Sequence, residues 1–201
     1  MNITKLREGG IEKRKNRAVL IDRDGTINID VEYIHRIEDL RFEEEAIEGL
    51  RLLQGFPGYK LIIVTGQSGI GRGYYTEQDY HNFMEEMYRQ FKLNGIVIDG
   101  EYFCPHHPEK GKGIYKVDCE CRKPKIGMLE QAARDFNIDI SQSWVVGDKT
   151  EDIEMGRVAK CRTVLVRTGK AGRDGNFEVT PSYTANSLLE AARYIVENSQ
   201  R

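Results

Sequence analysis

The sequence has no apolar run approaching the ~20 residues that a bilayer-spanning helix needs. It has no excess of either charge: 30 basic and 32 acidic side chains leave a net charge of −2. That balance argues against a dedicated nucleic-acid or polyanion binder, which carries a basic excess. The stretch Met1–Arg17 holds Lys5, Arg7, Lys13, Arg14, Lys15 and Arg17 but no apolar segment, so it lacks the pattern of a secretory signal. There is no internal repeat, low-complexity tract or linker that would divide the chain. The expectation is a cytoplasmic monomer without membrane or nucleic-acid partners, with an N-terminal extension over residues 1–16 and a single domain over 17–201. Cysteine is scarce. Three of the four cysteines, Cys104, Cys119 and Cys121, fall within 18 residues, and Cys161 stands apart. In a reducing cytosol such a cluster reads as metal ligands rather than a disulfide framework. Cys161 reads as an ordinary buried thiol.

What is present suits a globular enzyme-sized domain: 201 residues, 39% apolar and 31% charged, long enough to bury a sizeable core. Short apolar runs alternate with amphipathic stretches. Ala18–Ile21, Leu61–Val64, Ile96–Tyr102, Trp144–Val146 and Thr163–Val166 read as buried strands. Residues 43–54, 76–93, 125–136, 149–159 and 185–197 read as helices, the second opened by Thr76 as a cap with Glu77 in its first turn. Strands alternating with helices predict βαβ units: a three-layer α/β/α, Rossmann-like parallel sheet. The segment Gly169–Asn176, rich in glycine and charge, reads as a mobile loop.

In such sheets ligands bind beyond the carboxyl ends of the strands. Every predicted strand except the last delivers reactive groups there. Asp22-Arg23-Asp24-Gly25-Thr26 follows the first. Two aspartates so close repel each other if they converge, and a divalent cation relieves that repulsion; Mg2+ prefers one or two carboxylates with waters and phosphate oxygens. Gly25 permits a turn that a side chain would hinder, and Thr26 offers a hydroxyl and an N–H. Thr65 ends the second strand. Behind it Gly66-Gln67-Ser68-Gly69 forms a donor-rich loop suited to an anion. Gly147-Asp148 follows the fourth strand, with Asp152 one helical turn on. Arg122-Lys123-Pro124 adds fixed positive charge.

Cys104-Pro105-His106 is followed, after twelve residues, by Cys119-Glu120-Cys121. Three thiolates and an imidazole make a closed tetrahedral set that zinc favours, with no open position for catalysis. His107 competes with His106 for the fourth place. Such a site would hold the loop and aim Arg122 and Lys123 at a bound anion.

The set Asp22-Arg23-Asp24-Gly25-Thr26, Thr65, Lys123 and Gly147-Asp148-x-x-x-Asp152 resembles the four motifs of the haloacid dehalogenase superfamily of phosphatases, over about residues 17–170. The resemblance implies that Asp22 attacks phosphorus and becomes an aspartyl-phosphate. It implies that Asp24 protonates the leaving oxygen and then activates water. Thr65 would hydrogen-bond the phosphoryl group and Lys123 would offset its charge. Mg2+ would lie between Asp22, the Asp24 carbonyl and Asp148. Family pattern also favours His106 over His107 as the zinc ligand.

Cys-Pro-His…Cys-x-Cys-Arg-Lys-Pro is similar to two branches: the D-glycero-D-manno-heptose 1,7-bisphosphate phosphatases and the histidinol-phosphate phosphatases. Tyr33–Phe42 and Gln67–Thr76 resemble the heptose branch, which implies a small phosphorylated sugar as substrate. Thr26, Gln67, Ser68, Arg72 and Arg122 are the expected substrate contacts, with Tyr33 and His35 as further candidates. Two features depart from the pattern. The heptose branch usually carries Asn where this chain has Gly66, and the zinc loop is longer than in compact relatives. Only 40 residues separate Asp24 from Thr65, which leaves no room for a large cap. An open site would also admit a polynucleotide 3′-phosphate end, against which the near-neutral charge weighs. A zinc-stapled binding module that lost its chemistry is the non-enzymatic alternative.

Overall fold

The computed structural model describes residues 15–199. The remainder of the basic N-terminal stretch, residues 1–14, lies outside the described residues. Six strands form one sheet: β1 (Arg17–Ile21), β2 (Tyr59–Gly66), β3 (Gly100–Cys104), β4 (Trp144–Gly147), β5 (Arg162–Val166) and β6 (Tyr183–Ala185). Their order is β3-β2-β1-β4-β5-β6, and every pair is parallel. The helices are α1 (Ala46–Gly55), α2 (Ser68–Arg72), α3 (Glu77–Leu93), α4 (Gly127–Phe136), α5 (Thr150–Val158) and α6 (Leu188–Asn198).

Alternation along the strands fills both faces, because successive side chains point to opposite sides. Val19, Ile21, Leu61, Ile63, Trp144 and Val146 pack with Leu50 and Leu53 of α1, Phe83 and Met87 of α3, and Ala192 and Ile195 of α6. Ala18, Leu20, Ile62, Val64 and Val145 pack on the other face with Met128, Leu129 and Ala132 of α4 and Met155 of α5. This is the predicted three-layer arrangement. It contains no large cap among the described residues: only a short 3-10 turn at Ile37–Asp39 interrupts the loop between β1 and α1. The order runs outward from β1 through β2 to β3 on one side and from β4 through β5 to β6 on the other, and the crevice between β1 and β4, where the order reverses, is where such an α/β sheet binds its ligand.

Most predicted elements match, and the exceptions have physical causes. The third strand begins at Gly100, not Ile96. Ile96 N–H instead bonds back to Phe91 O at the end of α3, so the chain turns at residues 94–95 and runs irregularly through 96–99 before Asp99 N–H meets Leu61 O of β2. The first helix begins at Ala46 because Glu43 N–H is engaged by Ile27 O. The closing helix begins at Leu188 because Ser187 Oγ caps it, accepting from Glu190 N. β6 takes the residues just before it. Thr76 caps α3 as expected, with Asp79 completing a reciprocal capping box. Gly169–Asn176, expected to be mobile, is tied back. Lys170 N donates to Asp148 Oδ2 (2.6 Å), and Thr150 N and Oγ1 donate to the Asp174 carboxylate (2.8 and 2.5 Å).

Candidate active site

β1 runs out between β2 and β4, and Asp22 N–H bonds to Val146 O (2.8 Å), which fixes the backbone of the first acidic residue against β4. The chain then curls: Arg23 O accepts from the N–H groups of Thr26, Ile27 and Asn28. Gly25 has φ +83°, and a Cβ there would run into the Asp148 carboxylate. Glycine is therefore required both for the turn and for the approach of the fourth-motif aspartate.

Asp22, Asp148 and Asp152 bring carboxylate oxygens within 4.8 Å of one another, all buried. Lys123 Nζ bridges two of them, at 2.7 Å from Asp22 Oδ1 and 2.5 Å from Asp152 Oδ1. Burial alone would lower the Lys123 pKa, but Asp152 and Asp22 outweigh it and hold the ammonium charged. The Asp148 carboxyl is pushed up, by burial first and by the neighbouring Asp22 second. Asp148 Oδ1 is buried with no hydrogen-bond partner. Three converging carboxylates and an orphaned acceptor fit a hard divalent cation such as Mg2+.

The sequence suggested that the carboxylates of Asp22 and Asp24 converge. They do not. Asp24 turns away and accepts from Arg23 Nε and Nη2 (both 2.8 Å), Asn28 Nδ2 (3.0 Å) and Gln67 Nε2 (3.0 Å). The third carboxylate of the cluster is Asp152. Only the main chain of Asp24 is left for a metal, in line with the carbonyl role that the family resemblance implies. Burial would raise the Asp24 carboxyl, but the fully buried Arg23 guanidinium outweighs it and holds the pKa below the usual range.

A cavity of about 250 Å3 opens beside this cluster, lined by Asp24, Gly66, Gln67, Ser68, Arg122 and Lys149, among others. Ser68 and Arg122 thus stand where a substrate contact was expected, and Arg122 is steadied by the His106 carbonyl (3.3 Å). Gln67 touches the cavity, but its amide is engaged within the protein. Thr65 is buried behind it, and its Oγ1 accepts from Gln67 Nε2 (2.8 Å). Thr26 is fully buried, with its hydroxyl unpartnered. Arg72 is absent from the cavity wall; its guanidinium lies 5.7 Å from the ring centre of Tyr33, which is part of that wall. His35 stacks on Tyr75 rather than facing the cavity.

Sequence reasoning missed Lys149, Lys170, Glu151 and Asp30, all in the cavity wall. Lys149 follows Asp148 directly, which was a usable clue. Its ammonium is held charged, against the pull of burial, by Asp22, Asp148 and Asp152. The end of β5 reaches the site too, although no reactive group was expected there: Thr168 Oγ1 donates to Gly25 O (2.6 Å).

The second cluster lies at the end of β3. Cys104, His106, Cys119 and Cys121 gather their donor atoms within 4.8 Å. Cys104 Sγ is 3.5 Å from Cys119 Sγ, and His106 Nδ1 is 3.4 Å from Cys121 Sγ. Three sulfurs and one nitrogen so placed fit zinc. His107 is excluded from the set. Its Nδ1 accepts from the N–H groups of Glu109 (3.2 Å) and Lys110 (3.0 Å), which spends the imidazole on the loop.

Comparison with known proteins agrees with this geometry. Residues 120–191 match the family model described as HAD-hydrolase-like. The D-glycero-beta-D-manno-heptose-1,7-bisphosphate 7-phosphatase of Haemophilus ducreyi is 47% identical over 89% of this chain and 98% of its own length. The D-glycero-alpha-D-manno-heptose-1,7-bisphosphate 7-phosphatase of Burkholderia mallei is 46% identical over 76% of this chain and 80% of its own length. Among solved structures, the D,D-heptose 1,7-bisphosphate phosphatase from B. bronchiseptica, complexed with magnesium and phosphate, superimposes with a TM-score of 0.78 and 26% identity, covering 90% of this chain and 99% of that one. Sequence identity of this order over most of both chains, together with the carboxylate cluster and the four-ligand loop, identifies the chain as a phosphatase that belongs to the haloacid dehalogenase-like family, in the heptose-1,7-bisphosphate 7-phosphatase branch.

Proposed function

We propose that this phosphatase removes the 7-phosphate of D-glycero-D-manno-heptose 1,7-bisphosphate through an aspartyl-phosphate on Asp22. The observation that carries the reading is the buried Asp22 carboxylate, held by Lys123 and flanked by Asp148, with Asp24, Arg122 and Lys149 beside them in the wall of a charged cavity. An Asp22 oxygen bonds to phosphorus as the bond from phosphorus to the sugar oxygen breaks, and Asp24 gives that oxygen a proton. Water then attacks the phosphorus, Asp24 takes its proton, and the bond to Asp22 breaks to release phosphate. Splitting the hydrolysis this way replaces one hard step by two easier ones. With its carboxyl held low by Arg23, Asp24 is poised as the base of the second step. To act as the acid of the first it takes up a proton, which the negative charge of a bound phosphate favours.

Asp22, Asp148 and the Asp24 carbonyl would hold Mg2+, which would neutralise phosphoryl charge and orient the transferred group. Lys123 would supply fixed positive charge to the same group, and Thr65, whose hydroxyl proton is not spent on Gln67, would hydrogen-bond it. Ser68 and Arg122, on the cavity wall, bind the remainder of the substrate. Gln67 serves it from within that wall, and Thr26 and Arg72 from behind it. Cys104, His106, Cys119 and Cys121 would hold zinc, which fixes the loop carrying Arg122 and Lys123. The protein acts as a cytoplasmic monomer, and no helix among the described residues is long and apolar enough to cross a membrane.

The test is a comparison of kcat/KM for the alpha and beta anomers of heptose 1,7-bisphosphate and for histidinol phosphate, under Mg2+. A clear preference for either heptose anomer is expected. A preference for histidinol phosphate would overturn the substrate while leaving the Asp22 chemistry intact.

A further inference from the structure

Gln67 is buried, and both ends of its amide are engaged. Its Nε2 donates to Asp24 Oδ2 (3.0 Å) and to Thr65 Oγ1 (2.8 Å), while its Oε1 accepts from Tyr75 Oη (2.6 Å). One amide thus joins the acid/base residue to the phosphate-binding hydroxyl. A primary amide can turn over and exchange its oxygen for its nitrogen with little change in shape. In this site the exchange would set Oε1 against the Asp24 carboxylate, an acceptor with nothing to donate. The Tyr75 hydroxyl opposes the exchange from the other end of the amide, because it donates to Oε1.

The hydroxyl is itself fixed. The Tyr75 ring stacks on His35 with centroids 4.7 Å apart and planes 8° from parallel. Its edge lies so near Gly69 that a Cβ there would strike it, and would also lie 2.9 Å from Tyr33 Cδ1. Tyr75 is only 7% exposed. Neither the strand-end pattern nor the comparisons give it a role.

We propose that Tyr75 is a positioning residue for proton transfer: by holding the Gln67 amide in one orientation, it keeps Asp24 and Thr65 in register with Asp22. This rests on the reading of Asp24 as the general acid and base. In the first step, which kcat/KM reports, preorganisation of this kind lowers the barrier only where the acid is needed, so its worth there depends on the leaving group. A sugar alkoxide needs a proton as it departs, whereas p-nitrophenolate departs without one.

The experiment compares Tyr75→Phe with the wild type on heptose 1,7-bisphosphate and on p-nitrophenyl phosphate. One net hydrogen bond corresponds to about a tenfold effect. With the sugar phosphate, kcat/KM should fall about tenfold through kcat, with KM nearly constant. With p-nitrophenyl phosphate it should stay within about twofold of the wild type. Gln67→Met removes the intermediary, and adding Tyr75→Phe to it should then cost nothing further. An equal loss on both substrates would reduce Tyr75 to a structural role. A rise in KM that persists in full on top of Gln67→Met would mean direct contact with the substrate. Either result overturns the proposal. Asp24→Asn, assayed in parallel, separates this outcome from failure of the underlying reading: wild-type turnover of the sugar phosphate in that variant would remove Asp24 from the mechanism whatever Tyr75 does.

Discussion

The molecule gathers two sets of metal-binding side chains at the same edge of one sheet, and they are built on opposite principles. The oxygen cluster of Asp22, Asp148 and Asp152 is buried and under repulsion, relieved in part by Lys123 and Lys149. The sulfur cluster of Cys104, His106, Cys119 and Cys121 sits in a loop, with four donors that saturate a tetrahedral ion and leave no position open. The first is a place where charge is kept waiting for a phosphate. The second is a place where charge is used up to hold a loop still. Chemistry and stability are therefore carried by different residues, and substitutions in the two clusters should carry different signatures.

The sharpest contrast comes from Asp22→Asn. Turnover should fall on the order of 10⁴-fold or more, as when a nucleophile is lost. Melting temperature should hold or rise, because one member of a repelling group has been neutralised; a collapsed fold in a thermal melt would break the contrast. Lys123→Met comes next, since Lys123 belongs to both roles. Its loss leaves Asp22 and Asp152 facing each other in a buried site, which costs about 3–5 kcal/mol. Calorimetry should register a Tm lower by roughly 10 °C, and kcat should drop by about 10²–10³-fold with the lost phosphoryl charge partner. Cys119→Ala reverses the pattern of Asp22→Asn: zinc content measured by mass spectrometry falls, Tm falls with it, and activity declines because Arg122 and Lys123 lose their anchor. Full stability and activity in that variant would deny the zinc loop any part in supporting the site.

Proton linkage sharpens the comparison further. The Asp148 carboxyl is raised by burial and by Asp22, so in the metal-free protein it favours the protonated form. A raised carboxyl contributes stability at low pH that is lost as pH climbs through its folded-state pKa. Mg2+ competes for the same oxygens, so it should raise Tm more at pH 8 than at pH 5. A Mg2+-induced shift that is flat across that range would mean that Asp148 is not where the cation goes. The smallest effect is expected from Gly66→Asn. A Cβ at Gly66 meets nothing within 4 Å, so Tm should move by no more than about 1 °C, while relative kcat/KM for heptose bisphosphate and histidinol phosphate shifts several-fold.

What the sequence disclosed follows the same division. Asp22, Thr65, Lys123 and Asp148 were legible because each stands at the carboxyl end of an apolar run or in a charged motif beside one. The zinc ligands were legible because chelating side chains bunch along the chain. What could not be read was the direction in which a side chain turns. Asp24 and Gln67 looked like a metal-side carboxylate and a substrate contact, yet Arg23 and Tyr75 draw them inward. That preference is set by packing against Phe83, Met84 and His35 from distant segments. β6 and α2 escaped notice because three and five residues are too few to establish a period. Lys170 reached the site through a loop whose composition suggested only freedom.

The contact between Lys123 and Asp22 joins residues 101 positions apart, and Thr168 meets Gly25 across 143. Such closures carry a larger chain-entropy cost than local contacts and form more slowly. Every helix can be in place, and local strand pairs formed, before these distant segments meet. Turnover is then a stricter reporter of completed folding than circular dichroism, because a nearly native molecule that lacks this last closure has its secondary structure and no catalyst.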